Sequence, residues 1–169
     1  MTDPAWITIA RKYVGTTEVH GPSTAPLIRA WLISLKAWWT DDETPWCGTF
    51  VAACMKECGI PVPTAWFRAR DWLTWGIPLH APVVGCVVIY HRIGGGHVGF
   101  VVGRDEQDRI LTLGGNQGDR VSIAPFDRSR ALGYRWPASV PVPTNWLMFP
   151  PPPLPLLASN GQPSSHQEV

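Results

Sequence analysis

The sequence predicts an α+β domain in which N-terminal helices pack on a small antiparallel sheet. Two patterns carry this expectation. Apolar residues recur at helical spacing up to about Cys58, and from Gly85 onward short β-rich runs alternate with Gly, Asp and Asn turn signals. Helices first and strands later is the order of an α+β domain, not of a doubly wound sheet. With 169 residues, 45% of them hydrophobic, a core can form without metal or disulfide staples.

The elements follow in order. Asp3 and Pro4 suit the start of a first helix whose Trp6, Ile9, Ala10 and Tyr13 share one face, and Gly15 ends it. Leu27, Ile28, Trp31, Leu32 and Leu35 define a second helix. Beyond the acidic turn Asp41-Asp42-Glu43, the run Phe50, Val51, Cys54, Met55, Cys58 defines a third, stopped by Gly59 and Pro61. The third helix is expected to start at Thr44 as N-cap with Pro45 as its first residue. Residues 64–76 read as a short helix plus turn. Strands are expected over Cys86–Tyr90, His97–Val102, Ile110–Leu113, Val121–Ile123 and Leu132–Trp136. The domain is taken as residues 1–138. Residues 139–169, rich in proline and polar at the end, are expected to form a largely disordered tail or linker.

Composition narrows the function. A formal net charge of +1 lacks the basic excess of a protein built to neutralise nucleic-acid phosphates, so no nucleic-acid partner is expected. No apolar run is long enough to span a bilayer, and MTDPAWITIARKYVG has no signal-peptide layout. The chain is therefore expected to be made in the cytoplasm, without membrane insertion, and as a monomer. Cys47, Cys54, Cys58 and Cys86 form no CxxC pair, which leaves zinc-ribbon and thioredoxin chemistry without their signature. Free thiols are expected, with no cofactor and no metal. About two-thirds of the ten Trp are expected in the core, from their apolar neighbours.

Reactive chemistry concentrates in three places. Thr44-Pro45-Trp46-Cys47-Gly48 puts Cys47 in the first turn of a helix, where the helix dipole and free N–H groups favour a thiolate and an oxyanion. Equally, Cys47 continues the buried stripe of Phe50, Val51 and Cys54. His97, after Gly94-Gly95-Gly96, opens a strand beside an open loop, a position that suits a general base; His91 is the rival. Asn116 follows the end of the next strand and should come near His97, where its carbonyl could accept the imidazole N–H. Asp119 is the alternative there, and ordinary turn chemistry accounts for Asn-Gln-Gly-Asp as well.

With these residues in this order, the sequence resembles the NlpC and CHAP cell-wall cysteine hydrolases, and within them a phage- and prophage-associated NlpC-like subgroup. The blocks that carry the resemblance are Gly15-Thr16-Thr17-Glu18, the run from Asp42 to Val51 around Pro45-Trp46-Cys47, Gly85, Gly96-His97-Val98-Gly99-Phe100-Val101 and Gly114-Gly115-Asn116-Gln117. The resemblance covers roughly residues 4–137. It implies a papain-like fold and a peptidoglycan hydrolase, with Cys47 as nucleophile, His97 as base and Asn116 as orienter. Glu18, Glu43 and Trp46 would be cleft residues. The substrate would be an amide of the stem peptide, reached after another system delivers the protein, as for an endolysin, a phage tail enzyme or a secreted antibacterial effector. Two other classes use the same features: a Cys-His acyltransferase or deamidase acting on protein or lipid, and a non-catalytic wall-binding module.

Overall fold

The computed structural model describes residues 3–21, 23–146 and 150–160. Helix α1 spans Ala5–Lys12 and follows Pro4; α2 spans Pro26–Ser34, with proline in its first turn; α3 spans Cys47–Glu57. A 3-10 helix at Ala69–Thr74 leads into six strands, β1 (Ile77–Leu79), β2 (Val87–Arg92), β3 (Gly95–Arg104), β4 (Ile110–Gly114), β5 (Ser122–Phe126) and β6 (Ala131–Trp136). They form one sheet in the order β1-β6-β2-β3-β4-β5 with every neighbour antiparallel. The α+β class is as the sequence implies.

Helix α3 is the centre of the packing. Every residue from Cys47 to Met55 is buried, because α1 and α2 cover one side and β3 and β4 the other. The helix lies close to the sheet where glycine permits it. A Cβ on Gly115 would fall 2.6 Å from Phe50 Cβ and 2.7 Å from the Trp46 ring, and one on Gly48 would strike the Trp66 carbonyl. Trp6 locks α1 to the sheet through an Nε1–H bond to the Gly85 carbonyl (2.8 Å). Trp6, Trp31, Trp46, Trp66, Trp72 and Trp136 are buried, so most of the indole surface is core.

The chain departs from expectation in three places. Helix α3 begins at Cys47 with Trp46 as N-cap, not at Thr44, because Asp41 accepts both the N–H and the hydroxyl of Thr44 (2.9 Å each) in a turn of its own. Strand β1 was not anticipated. It is three residues long with Pro78 in its middle, and it pairs with β6 at the sheet edge, where a missing N–H costs nothing. Finally, residues 150–160 lie on the domain. Arg104 N–H donates to the Pro155 carbonyl (2.8 Å) and Leu157 N–H to the Arg104 carbonyl (2.9 Å). Asn160 exchanges two bonds with Ile123 on edge strand β5, and Leu154 is 6% exposed. Proline-rich chain needs no regular element to bury a leucine and satisfy a strand edge. Residues 161–169 of the expected tail lie outside the described residues.

If this docking stabilises the fold, Leu154→Ala should cost about 2–3 kcal/mol, as for a buried leucine elsewhere. Urea unfolding of the full chain measures it, and a loss under about 0.5 kcal/mol would mean that the segment rests on the domain without supporting it.

Candidate active site

The local sequence sets Cys47 at the first position of α3, against β3. The backbone N–H groups of Val98, Gly48 and Cys47 itself act to lower the pKa of its thiol. These donors favour a thiolate, as does the positive charge of Arg92. Burial opposes them and wins: Cys47 is 4% exposed and its thiol is held above the ordinary 9.0. The helix terminus therefore does not yield a standing thiolate, contrary to the sequence expectation, because desolvation outweighs a few partial charges. Cys54 and Cys86 are buried thiols with raised pKa values, Cys86 to about 12, and all four cysteines are free.

His97 sits near the start of β3, opposite Tyr90 of β2, and is fully buried. Its ring stacks on Phe126 (5.2 Å between centroids) and on Tyr90 (6.3 Å). Burial is the main cause that lowers its pKa from 6.5 to about 4, with the charges of Arg92 and Arg130 adding to it and the bond to Gln117 opposing. Imidazole Nε2 lies 3.0 Å from Gln117 Oε1. The amide orientation is fixed, because Gln117 Nε2 faces three acceptors: the Ser122 carbonyl (2.8 Å), Ser122 Oγ (3.1 Å) and the Thr112 carbonyl (3.2 Å). Carbonyls only accept, so the nitrogen faces them and the oxygen faces the histidine. His97 must then donate from Nε2, which leaves the Nδ1 lone pair free. That Nδ1 is buried and has no partner among the described residues.

The side chain hydrogen-bonded to His97 is therefore Gln117 and not Asn116, the residue expected there. Strand β4 ends beside His97 as expected, and a Cβ on Gly114 would lie 3.2 Å from Nε2. Asn116 takes a left-handed φ of 55° in the turn, and this swings its neighbour Gln117 inward. Nothing in Asn-Gln-Gly-Asp distinguishes the two amides beforehand. Asp119, the alternative, is exposed and lies 3.6 Å from His20. His91 is exposed on the strand before.

Cys47 and His97 meet the same strand from two sides. Side chains alternate along β3, so His97 and Phe100 belong to opposite faces, and Phe100 packs toward Phe50 of α3 (6.1 Å). The thiol approaches the Val98 N–H, one residue from the histidine, but no hydrogen bond joins Sγ to Nδ1. Of the predicted cleft residues, Glu18 and Trp46 are bonded to each other and Glu43 stands apart. Trp46 is 1% exposed and donates its Nε1–H to Glu18 (2.9 Å), so its ring packs and is not presented to a ligand. Half-buried Glu18 has its pKa raised, chiefly by burial. Glu43 is exposed on the acidic turn, while Asp42 is buried and caps the Val19 and Ala25 N–H groups.

A cleft of about 570 Å³ opens over Cys47, with Pro45, Phe67 and Gly94–Gly96 at its walls and Arg68, Arg70, Asp71 and Arg92 as its charged residues. Sequence reasoning did not find these arginines; without the fold, Arg92 reads as an ordinary strand-end charge. Beside the cleft, Trp38 is 79% exposed and meets Phe67 edge-on (5.0 Å). One possible cation-binding group occurs among the described residues, Glu18 with His20 and Asp119, whose ligand atoms lie within 4.8 Å of one another. It is explained by the contacts of exposed His20 with two carboxylates.

Residues 39–116 match the family model of the CHAP domain, a span that contains Cys47 and His97 and stops one residue short of Gln117. A CHAP domain is thus detected over residues 39–116, just under half of the chain, consistent with a cysteine hydrolase of the CHAP and NlpC type, and the six-stranded antiparallel sheet with its helices is consistent with that papain-like fold. No match to a curated protein is found.

The histidine geometry has a pH consequence. An unfolded imidazole takes a proton near pH 6.5, whereas folded His97 resists until about pH 4. Between those values the unfolded chain binds more protons, so its contribution to stability is complete above pH 6.5 and is lost as pH falls toward 4. Long-range ¹⁵N NMR should show His97 as the neutral Nε2–H tautomer at pH 5. In Gln117→Leu the two tautomers should mix, and in Asn116→Ala the wild-type pattern should persist.

Proposed function

From the premise that this chain carries a CHAP domain, a family generally of hydrolytic amidases and peptidases, we propose that it cleaves an amide of the peptidoglycan stem peptide with Cys47 as nucleophile. The observation that supports this best is the combination at α3: a thiol at the first position of a helix, lining a cleft. Sγ attacks the amide carbonyl carbon. As the S–C bond forms, the thiol proton passes to Nδ1 of His97, the one imidazole nitrogen without a partner. The carbonyl oxygen gathers negative charge near the N–H groups of Cys47 and its neighbours. The tetrahedral species then expels the amine, which takes the proton back from Nδ1, and a thioester remains on Cys47. Water, deprotonated by the same nitrogen, hydrolyses that thioester and restores the thiol. Gln117 acts as a positioning residue, since it holds the tautomer that leaves Nδ1 basic.

The pair rests uncharged. Its thiol is raised and its imidazole lowered, so proton transfer accompanies attack. Nδ1 must approach Sγ for this. At rest the ring packs on the face of β3 opposite the one that meets α3, so the transfer requires His97 to leave its stack on Tyr90 and Phe126. A second reading, a wall-binding module without turnover, draws on the complete burial of His97 and on the absent Sγ–Nδ1 bond.

The two readings part on one experiment. Purified peptidoglycan incubated with the wild-type chain should release new peptide fragments detectable by mass spectrometry, and Cys47→Ala should release none. If wild type and Cys47→Ala both bind walls and neither releases fragments, the binding module is the function. Gln117→Ala should slow release about a hundredfold, whereas Asn116→Ala should stay within a few-fold of wild type. The reverse ranking would return the orienting role to Asn116.

A further inference from the structure

We propose that the cleft beside Cys47 holds a carboxylate-binding subsite built on Arg92, and that the scissile amide of the substrate has a free carboxylate as a near neighbour. The second half rests on the hydrolase reading above; the first half does not.

Arg92 is the last residue of β2 and is 5% exposed. Its Nε and Nη2 are both buried, and among the described residues neither has a hydrogen-bond partner and no carboxylate lies within ion-pair distance of the side chain. A buried guanidinium without an anion is costly, and its planar fork is shaped for two parallel bonds to a carboxylate. The side chain lines the same cleft as Cys47.

The surroundings reinforce the sign of the site. Arg68 and Arg70 line the same cleft, Arg68 with its guanidinium 5.6 Å from the Phe67 ring and Arg70 tethered by a 3.0 Å bond from Nε to the Gly95 carbonyl. Asp71 is the one acidic residue among those lining it, so three guanidinium groups face a single carboxylate. Gly94 and Gly95 keep the wall low, since a Cβ on either would meet nothing within 4 Å. A peptide with an acidic side chain or a free α-carboxylate fits this lining, and a peptide whose carboxylates are amidated leaves Arg92 unpaired.

Alkylation of Cys47 tests the subsite without requiring turnover. Iodoacetate and iodoacetamide deliver the same electrophile, one with a carboxylate and one with a carboxamide. Each displaces iodide with the thiolate, so the ratio of their rates cancels any change in thiolate fraction. Half-buried Cys58 lies outside the cleft and serves as internal reference. At low ionic strength and pH 7.5, peptide mapping should give an iodoacetate-to-iodoacetamide ratio at Cys47 about tenfold or more above that at Cys58. Arg92→Gln should bring the two ratios together, and Arg92→Lys should keep part of the difference. If Arg92→Gln does not fold, Arg68→Gln, an exposed position, should lower the Cys47 ratio about threefold. Equal ratios at Cys47 and Cys58 in the wild type, or a ratio unchanged in a folded Arg92→Gln, overturn the proposal. If both rates at Cys47 fall together in Arg92→Gln, the arginine serves the thiolate and not a ligand, and the proposal is wrong. A hydrolytic arm then compares stem peptides with free and amidated carboxylates. A retained alkylation preference with no cleavage of either peptide supports the subsite and counts against the hydrolase reading alone.

Discussion

The contact between Gln117 and His97 constrains most of what this site can do. One amide ties a histidine on β3 to carbonyls of Thr112 on β4 and Ser122 at the head of β5, all of them buried. Because each partner on the nitrogen side can only accept at its carbonyl, the orientation of the amide, and through it the tautomer of the imidazole, is decided by the sheet itself. The fold thus carries the information that a separate carboxylate often supplies: which ring nitrogen keeps the proton. The left-handed turn at Asn116 and the bare Cα of Gly114 make room for this contact.

A neutral orienter has an electrostatic consequence. A carboxylate beside His97 would favour imidazolium, whereas an amide oxygen offsets only part of the desolvation, and the two nearby arginines oppose a proton on the ring. The same low polarity holds the Cys47 thiol protonated. The resting site is therefore uncharged at the sulfur and the imidazole, while Arg92 keeps an unpaired positive charge next to them. An incoming anionic group would complete the charge balance, which couples substrate recognition to the chemistry through one side chain.

Much of the fold was legible in the sequence. The three helices followed from their 3.6-residue periods and the five longer strands from β-rich runs between turn residues, because those periods reflect one buried face each. What was not legible depended on contacts distant in sequence or on a single turn. Asp41 captures Thr44 and delays α3. Pro78 looked incompatible with a strand but sits at an edge. The docking of Leu154 is set by surfaces that exist only once the sheet has formed. At the candidate site, Cys47 and His97 stand out in the sequence by position alone. Gln117 was obscured by its neighbour, since a turn of Asn-Gln-Gly-Asp does not reveal which amide points inward. Arg92 was invisible for the opposite reason: charged residues at strand ends are ordinary, and only burial without a partner marks this one.

The central claim is that Cys47 carries the acyl group in catalysis. The direct measurement is intact-mass analysis of the full chain quenched with acid during reaction with soluble peptidoglycan fragments, followed by peptide mapping. The account predicts a transient mass increase equal to the acyl portion of the substrate, located on the peptide containing Cys47, labile to hydroxylamine and absent in Cys47→Ala. Fragment release by the wild-type chain that persists undiminished in Cys47→Ala, or an adduct mapped to another residue, would contradict it.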